Sequence, residues 1–149
     1  MNVAQQQPVF RHGLRVYWED TDAGGVVFYA NYLKFFERAR TEWLRQLGFE
    51  QERLRLEAGA MFVVSETALR YLAPARLDDW LDVSVELRER GRASMLIRQQ
   101  AWRAGQLLAE GEIRIGCVGA ADFKPCRIPA AILQALDKNP PSLAQDLTP

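Results

Sequence analysis

Between Asn31 and Leu47 the apolar residues Tyr32, Phe36, Ala39, Trp43 and Leu47 fall at steps of three or four, and Phe35 and Leu44 widen the stripe. That spacing describes one face of an α-helix. Asn31 is placed as its N-cap and Gly48 as its C-terminal stop. A helix with so aromatic a face needs a large apolar surface along its whole length. A sheet wrapped against it would supply one.

Strand patterns occupy much of the remaining chain. From Val9 to Trp18, Leu14, Val16 and Trp18 alternate with Arg15 and Tyr17, which predicts a strand with one buried face. Gln51 to Gly59 reads as a short helical connector, and Met61 to Leu72 as a β-rich stretch ending at Ala73-Pro74. Leu81, Val83, Val85 and Leu87 then alternate cleanly with Asp82, Ser84, Glu86 and Arg88. Arg90-Gly91-Arg92 turns the chain into a strand over Ala93 to Arg103, and Ala104-Gly105 turns it into another over Gln106 to Val118. These three form a meander. A short helix follows from Pro129 to about Lys138. The expectation is an α+β fold with about five antiparallel strands, organised as one domain over 1–138 with a disordered tail over 139–149. There is no internal repeat and no linker composition.

Composition narrows the chemistry. The 19 basic and 19 acidic residues cancel, so nothing draws the chain as a whole to nucleic acid, and any polyanion must meet a local patch. His12 is the only histidine, and Cys117 and Cys126 are the only cysteines. A structural zinc cage or multi-histidine metal site therefore cannot be built within one subunit, no metal or other cofactor is expected, and acid–base work falls to carboxylates. The polar, glutamine-rich start lacks the features of a secretory signal, and no apolar run reaches the ~18 residues of a membrane span, so a cytoplasmic location is expected. Cys117, alternating with apolar residues, reads as a small core hydrophobe, and Cys126 has no neighbouring base to make it a nucleophile. The charges of Glu37, Arg38, Arg40, Glu42 and Arg45 read as the solvent or inter-subunit face of the helix, with Arg38 and Glu42 an i,i+4 pair.

The loop Asp20-Thr21-Asp22-Ala23-Gly24-Gly25 admits three readings. A calcium loop counted from Asp20 fails, because its fifth and twelfth positions are Gly24 and Asn31, which removes a side-chain ligand and the bidentate Glu. An Asx turn is the simplest alternative. An active site is the third: a carboxylate, glycines that permit close approach, then the amides and positive dipole end of a helix beginning near Tyr29. Such a helix end could polarise a carbonyl while the carboxylate supplies a nucleophile or base.

The residues Tyr17 to Tyr32, continuing through Phe36-Glu37-Arg38-Ala39-Arg40-Thr41-Glu42, resemble the signature of the hotdog-fold acyl-CoA thioesterases. A second segment, Tyr71-Leu72-Ala73-Pro74-Ala75-Arg76-Leu77-Asp78-Asp79, is similar to the Tol–Pal-associated branch, near the 4-hydroxybenzoyl-CoA thioesterase group. The resemblance covers nearly the whole chain, from about Val9 to Pro129. It implies a sheet wrapped around a long central helix, with Asp22 attacking the thioester carbonyl or activating water. It also implies an oxyanion site of backbone amides at Tyr29, where many relatives of the Tol–Pal branch carry His. Gly25, Val27, Phe28 and Asn31 become candidate substrate-binding residues. The turn carrying Arg90, Arg92 and Ser94 becomes the candidate site for the phosphates of coenzyme A, although a solvated hairpin of paired arginines would look the same in sequence. Arg88 projects from the preceding strand instead. The family pattern further implies a homodimer or homotetramer with sites at the interface, Met61 to Val64 of a neighbour supplying pocket wall. The rival reading is a non-catalytic adaptor that binds acyl groups or acyl carrier protein. A dehydratase on the same fold would need histidine, and only His12 is available.

Overall fold

The computed structural model describes residues 9–138, so the tail expected over 139–149 lies outside the described residues. Five strands, β1 (Phe10–Arg15), β2 (Ala60–Tyr71), β3 (Trp80–Arg90), β4 (Ser94–Arg103) and β5 (Gln106–Gly119), form one antiparallel sheet in the order β1-β3-β4-β5-β2. The central helix α1 (Tyr32–Gln46) lies against one face, with α2 (Gln51–Ala58) and α3 (Ala130–Asp137) as shorter elements. The expected hotdog architecture and the β3-β4-β5 meander are both present.

The period-two pattern of β3 sends Leu81, Val83, Val85 and Leu87 to the inner face, where Ile97 and Ala101 of β4 and Ile113 of β5 join them. Phe35, Phe36 and Ala39 of α1 are fully buried against this surface, and Tyr32, Trp43 and Leu44 nearly so. Burying a large apolar side chain is worth about 1.5–3 kcal/mol, so this stripe is the main attachment of helix to sheet. Register shifts at Leu87/Glu89 in the β3–β4 pairing and at Val64/Glu66 in β2–β5 add local bend. Ala104 and Gly105 both take positive φ in the β4–β5 turn, the backbone that a two-residue hairpin of matching twist requires.

Two expectations fail, one at the end of β1 and one within α1. Trp18 does not continue the buried face of β1. The strand stops at Arg15, Val16 is the last buried residue of the alternation, and the chain then enters a 3₁₀ turn over Trp18–Asp20 that leaves Trp18 81% exposed. Arg38 and Glu42 do not pair either. Glu42 meets Arg45 one turn later, Glu37 accepts the Thr41 hydroxyl at 2.9 Å, and Arg40 turns inward. Arg40 Nη1 donates to Oε1 of the fully buried Gln99 at 2.9 Å, while Gln99 Nε2 donates to the carbonyls of Phe36 and Ser84 at 3.0 and 3.3 Å. A charge in the helical pattern therefore serves a polar contact inside the helix–sheet interface, and burial lowers the affinity of Arg40 for its proton.

Candidate active site

Asp20 and Asp22, two residues apart, have opposite environments. Asp20 is buried; its Oδ2 accepts the Tyr17 amide and its Oδ1 accepts Nδ2 of Asn31, each at 2.8 Å, and its carbonyl accepts the Phe28 amide at 3.0 Å. Asp22 is exposed. Its Oδ1 accepts the Gly24 amide at 2.8 Å, an Asx turn, and Oδ2 takes no hydrogen bond among the described residues. The turn closes through the Gly25 amide to the Asp22 carbonyl at 3.0 Å and the Asp22 amide to the Val26 carbonyl at 2.9 Å, with Gly25 at φ 78. The Asx-turn and active-site readings are thus compatible: the turn fixes one carboxylate oxygen and leaves the other open.

The second sequence motif is the platform under this loop. The Val27 amide donates to the Ala75 carbonyl at 2.8 Å, the Ala75 amide donates to the Tyr32 hydroxyl at 3.3 Å, and the Val16 amide donates to the Asp79 carbonyl at 2.9 Å. Asp79 Oδ2 accepts the Arg76 amide and Arg103 Nη1, both at 2.8 Å. Burial works against the Asp79 charge, but these two bonds outweigh it and hold the carboxyl below its ordinary range. Burial also pushes the Tyr32 phenol up, keeping it a neutral hydrogen-bonding group.

After Val27 the chain passes through Phe28 into a 3₁₀ turn, Tyr29–Asn31, that leads directly into α1. The helix end thus begins at Tyr29, as expected, but Asn31 does not cap it. Asn31 has helical dihedrals, makes no side-chain cap bond and commits its amide to Asp20. The Tyr29 carbonyl accepts the Tyr71 hydroxyl at 2.9 Å, while the amides of Tyr29 and Ala30 meet no backbone carbonyl among the described residues. Phe28, Tyr29 and Tyr71 are exposed and lie in ring contact at this end of the sheet.

Of the sequence-predicted residues, Asp22, Gly25, Val27, Phe28, Tyr29 and Asn31 share this loop. Val27 and Asn31 are buried, so their side chains hold the loop in place, whereas Asp22, Gly25, Phe28 and Tyr29 are open to solvent. Tyr71, Asp20 and Gln99 were not singled out, and Arg40 was read only as part of the solvent or inter-subunit face of the helix, whereas it reaches inward to Gln99. Tyr71 and Asp20 were visible only as members of the two motifs, and nothing in the local sequence marks Gln99 as buried.

Arg90, Arg92 and Ser94 occupy the other end. The turn is closed by the Gly91 amide on the Ser94 carbonyl at 2.7 Å. Arg90 donates through Nε and Nη2 to Oδ1 of Asp137, at 2.9 and 2.5 Å. Arg92 is exposed and its carbonyl accepts the Ile128 amide at 2.7 Å; its guanidinium has no ion-pair partner among the described residues. Arg88 lies on β3 beside buried Glu86. The eleven residues of β3 separate this turn from the Asp22 end by roughly 33 Å at about 3.3 Å per step. A cavity of about 150 Å³ opens near the arginine end between α1 and the sheet, with Glu37, Arg40, Thr41 and Gln51 on its polar wall and Phe62 and Met95 opposite. Among the described residues no cluster of His, Cys, Asp and Glu could hold a metal ion, and no helix is long and apolar enough to cross a membrane.

A sheet wrapped on a central helix, with an open carboxylate beside the helix start, defines a hotdog-type thioesterase scaffold. The model of the thioesterase-like superfamily matches residues 16–136, and the chain belongs to that family. It is 44% identical over 126 residues to the acyl-CoA thioesterase YbgC of Haemophilus influenzae, covering 85% of this chain and 93% of that protein. It is 30% identical over 132 residues to acyl-CoA thioesterase YbgC of Helicobacter pylori, covering 83% and 96%. The crystal structure of a probable thioesterase from Bartonella henselae superposes with a TM-score of 0.77 at 31% identity, covering 82% of this chain and all of that one.

Proposed function

We propose that the protein hydrolyses acyl-CoA thioesters to free acid and coenzyme A, with Asp22 as nucleophile or general base and the Tyr29 amide as oxyanion donor. The single observation that carries this is the open Oδ2 of Asp22 on a turn that runs straight into the amide end of α1. In the nucleophilic route Asp22 Oδ2 attacks the carbonyl carbon, the carbonyl π electrons move to oxygen beside the helix-start amides, and collapse expels the thiolate, leaving a mixed anhydride that water opens. In the general-base route Asp22 takes a proton from the attacking water, and the same oxyanion collapses without a covalent intermediate. Neither needs histidine: a thiol with an ordinary pKa of about 8.5 leaves as thiolate without an obligatory acid. Tyr29, where many relatives carry His, then contributes through its amide and its ring wall.

The distance between the two ends of β3 bears on assembly. Asp22 and the arginine turn of one chain are too far apart to serve the thioester and the nucleotide phosphates together unless the substrate spans the sheet. β2 is an edge strand of twelve residues, bonded among the described residues to β5 alone. Two copies pairing along it in antiparallel two-fold fashion would set the Tyr71 end of one beside the Ala60 end of the other. Since Ala60 opposes Gly119, near the Ser94–Gly116 pair, this brings the acid end of one subunit to the arginine end of its partner. The reading is therefore a homodimer, or a tetramer of such dimers, with composite sites, Arg90, Arg92 and Ser94 meeting the phosphates and Phe28 together with Met61 to Val64 walling the acyl group. It includes membership of the Tol–Pal-associated branch and a cytoplasmic location.

Thiol release from a panel of short, long and aromatic acyl-CoAs, for wild type and Asp22→Asn, tests the proposal. Turnover that the substitution abolishes is the expected result. Equal rates in the two proteins remove Asp22 from the chemistry, and no turnover of any substrate, with retained binding of acyl groups or acyl carrier protein, replaces the enzyme with the adaptor.

A further inference from the structure

Nine positions separate Cys117 from Cys126 in the chain, but the fold sets them face to face. After Cys117 the chain leaves β5, reverses through a turn in which the Gly119 amide donates to the Lys124 carbonyl at 2.9 Å, and returns. Val118 and Pro125 form an antiparallel bridge, and the Cys126 amide donates to the Cys117 carbonyl at 3.0 Å. By this register Cys117 and Cys126 are directly opposite. Their Sγ atoms are 3.6 Å apart, on the same side of the pair, and both are free thiols. Opposed residues in an antiparallel pair have Cα atoms about 4.5–5.5 Å apart, within the ~4.4–6.8 Å window of disulfides, so a small change in side-chain torsion brings the sulfurs to bonding distance.

We propose that Cys117 and Cys126 form a reversible intramolecular disulfide when the protein meets hydrogen peroxide. The two thiols differ in access. Cys117 is buried and its proton is held firmly: burial, then the hydrogen bond and charge of Cys126, push its thiol up to about 12. Cys126 is only partly buried, so oxidant reaches it first. The Cys126 thiolate attacks one peroxide oxygen, the O–O bond breaks, and the departing oxygen leaves as water after protonation, giving a sulfenic acid. Cys117 sulfur then attacks Cys126 sulfur; the S–S bond forms, the S–O bond breaks, and the hydroxyl leaves with the Cys117 proton as a second water. Two thiols lose two electrons and two protons, and the peroxide is reduced to two waters. A dithiol reverses the reaction by exchange.

The bond would act on a particular place. Two residues beyond Cys126, the Ile128 amide is bonded to the Arg92 carbonyl, and α3, which follows, carries the Asp137 that grips Arg90. Oxidation would fasten that strap covalently to β5, beside the arginine turn.

The test exposes the reduced full chain, freed of reductant, to stoichiometric hydrogen peroxide, followed by intact mass and thiol titration in denaturant. Expected are loss of both thiols, a mass decrease of about 2 Da, a monomer on a non-reducing gel, a melting temperature raised by a few degrees, and full reversal by dithiothreitol. Cys126→Ser should keep its single thiol under the same exposure, which separates pairing from direct oxidation of Cys117. A mass gain of about 16 or 32 Da with the Cys117 thiol intact, a disulfide-linked dimer, or no reaction at all would overturn the proposal.

Discussion

Asn31 stands where α1 would take its cap, yet its side-chain amide donates 2.8 Å to buried Asp20. The bond ties the first residues of the helix end to the 3₁₀ turn that precedes the candidate catalytic loop, so the carboxylate and the helix amides are held as one unit. Replacing Asn31 with Ala leaves a buried carboxylate oxygen without its donor, a loss that typically costs about 1–3 kcal/mol. The expected result is a fall in melting temperature of about 2–4 °C per kcal/mol, read by thermal unfolding, together with reduced turnover as the loop loosens. Unchanged stability would show that the bond is not needed to hold the loop.

Asp20 and Asp22 should separate cleanly by substitution with Asn. In Asp20→Asn an oxygen that accepts an amide becomes a donor, because Asp20 receives the Tyr17 amide on one oxygen and Asn31 on the other. Stability should fall. In Asp22→Asn the side-chain oxygen can still accept the Gly24 amide, so the fold should melt at the wild-type temperature while turnover drops by about 10²-fold or more. Paired melting curves and initial rates check both expectations.

How much of this was legible in the chain depended on whether local spacing carried the information. The stripe from Tyr32 to Leu44 and the alternation Leu81 to Leu87 report burial directly, because helix and strand periods map sequence onto faces. The Asp22 loop was legible as a motif, but the roles of its members were not. Asn31 has the composition of a cap and the geometry of a tether, and the choice was made by Asp20, eleven residues away. Gln99 sits among polar neighbours in sequence, and only the approach of Phe36 and Arg40 from α1 and of Ser84 from β3 makes it a core residue. Cys117 and Cys126 were read separately because their opposition depends on the register of a turn that composition does not reveal. Trp18 fell out of the β1 pattern because the chain had to turn toward Asp20, and local alternation cannot register a strand's end.

The arginine turn divides into one guanidinium held by Asp137 and one, on Arg92, without an ion-pair partner among the described residues. Arg92→Ala should raise the KM for acyl-CoA several-fold while leaving that for a short thioester without the nucleotide unchanged. Asp137→Asn should act in the opposite direction. Asp137 occupies Arg90 with the kind of contact a phosphate would make, and an exposed pair of this sort is worth about 0.2–1 kcal/mol, so releasing it should lower the KM for acyl-CoA by up to about fivefold. Steady-state kinetics on the two substrates distinguish these outcomes. If the KM for both substrates changes alike, the turn does not meet the phosphates.

Glu86 supplies a prediction about pH. Both of its carboxylate oxygens are buried and accept no hydrogen bond within 3.5 Å among the described residues; Arg88 lies 3.6 Å away, and desolvation outweighs the attraction of Arg88 and Arg98 and the long Arg88 contact and raises the carboxyl above its ordinary value of 4.5. A carboxyl raised in the folded state is protonated more readily there than in the unfolded chain. It therefore leaves stability untouched at pH values below 4.5, where both states hold the proton, and subtracts from it as pH rises through the folded-state value. Glu86→Gln removes that loss without changing shape. The variant should match wild type at low pH and exceed it at pH 8, where a gain of about 1 kcal/mol would appear as about 2–4 °C in melting temperature. Denaturation measured at pH 4 and pH 8 reads the difference directly. A variant less stable than wild type at pH 8 would mean that the ion pair with Arg88 outweighs the desolvation of Glu86.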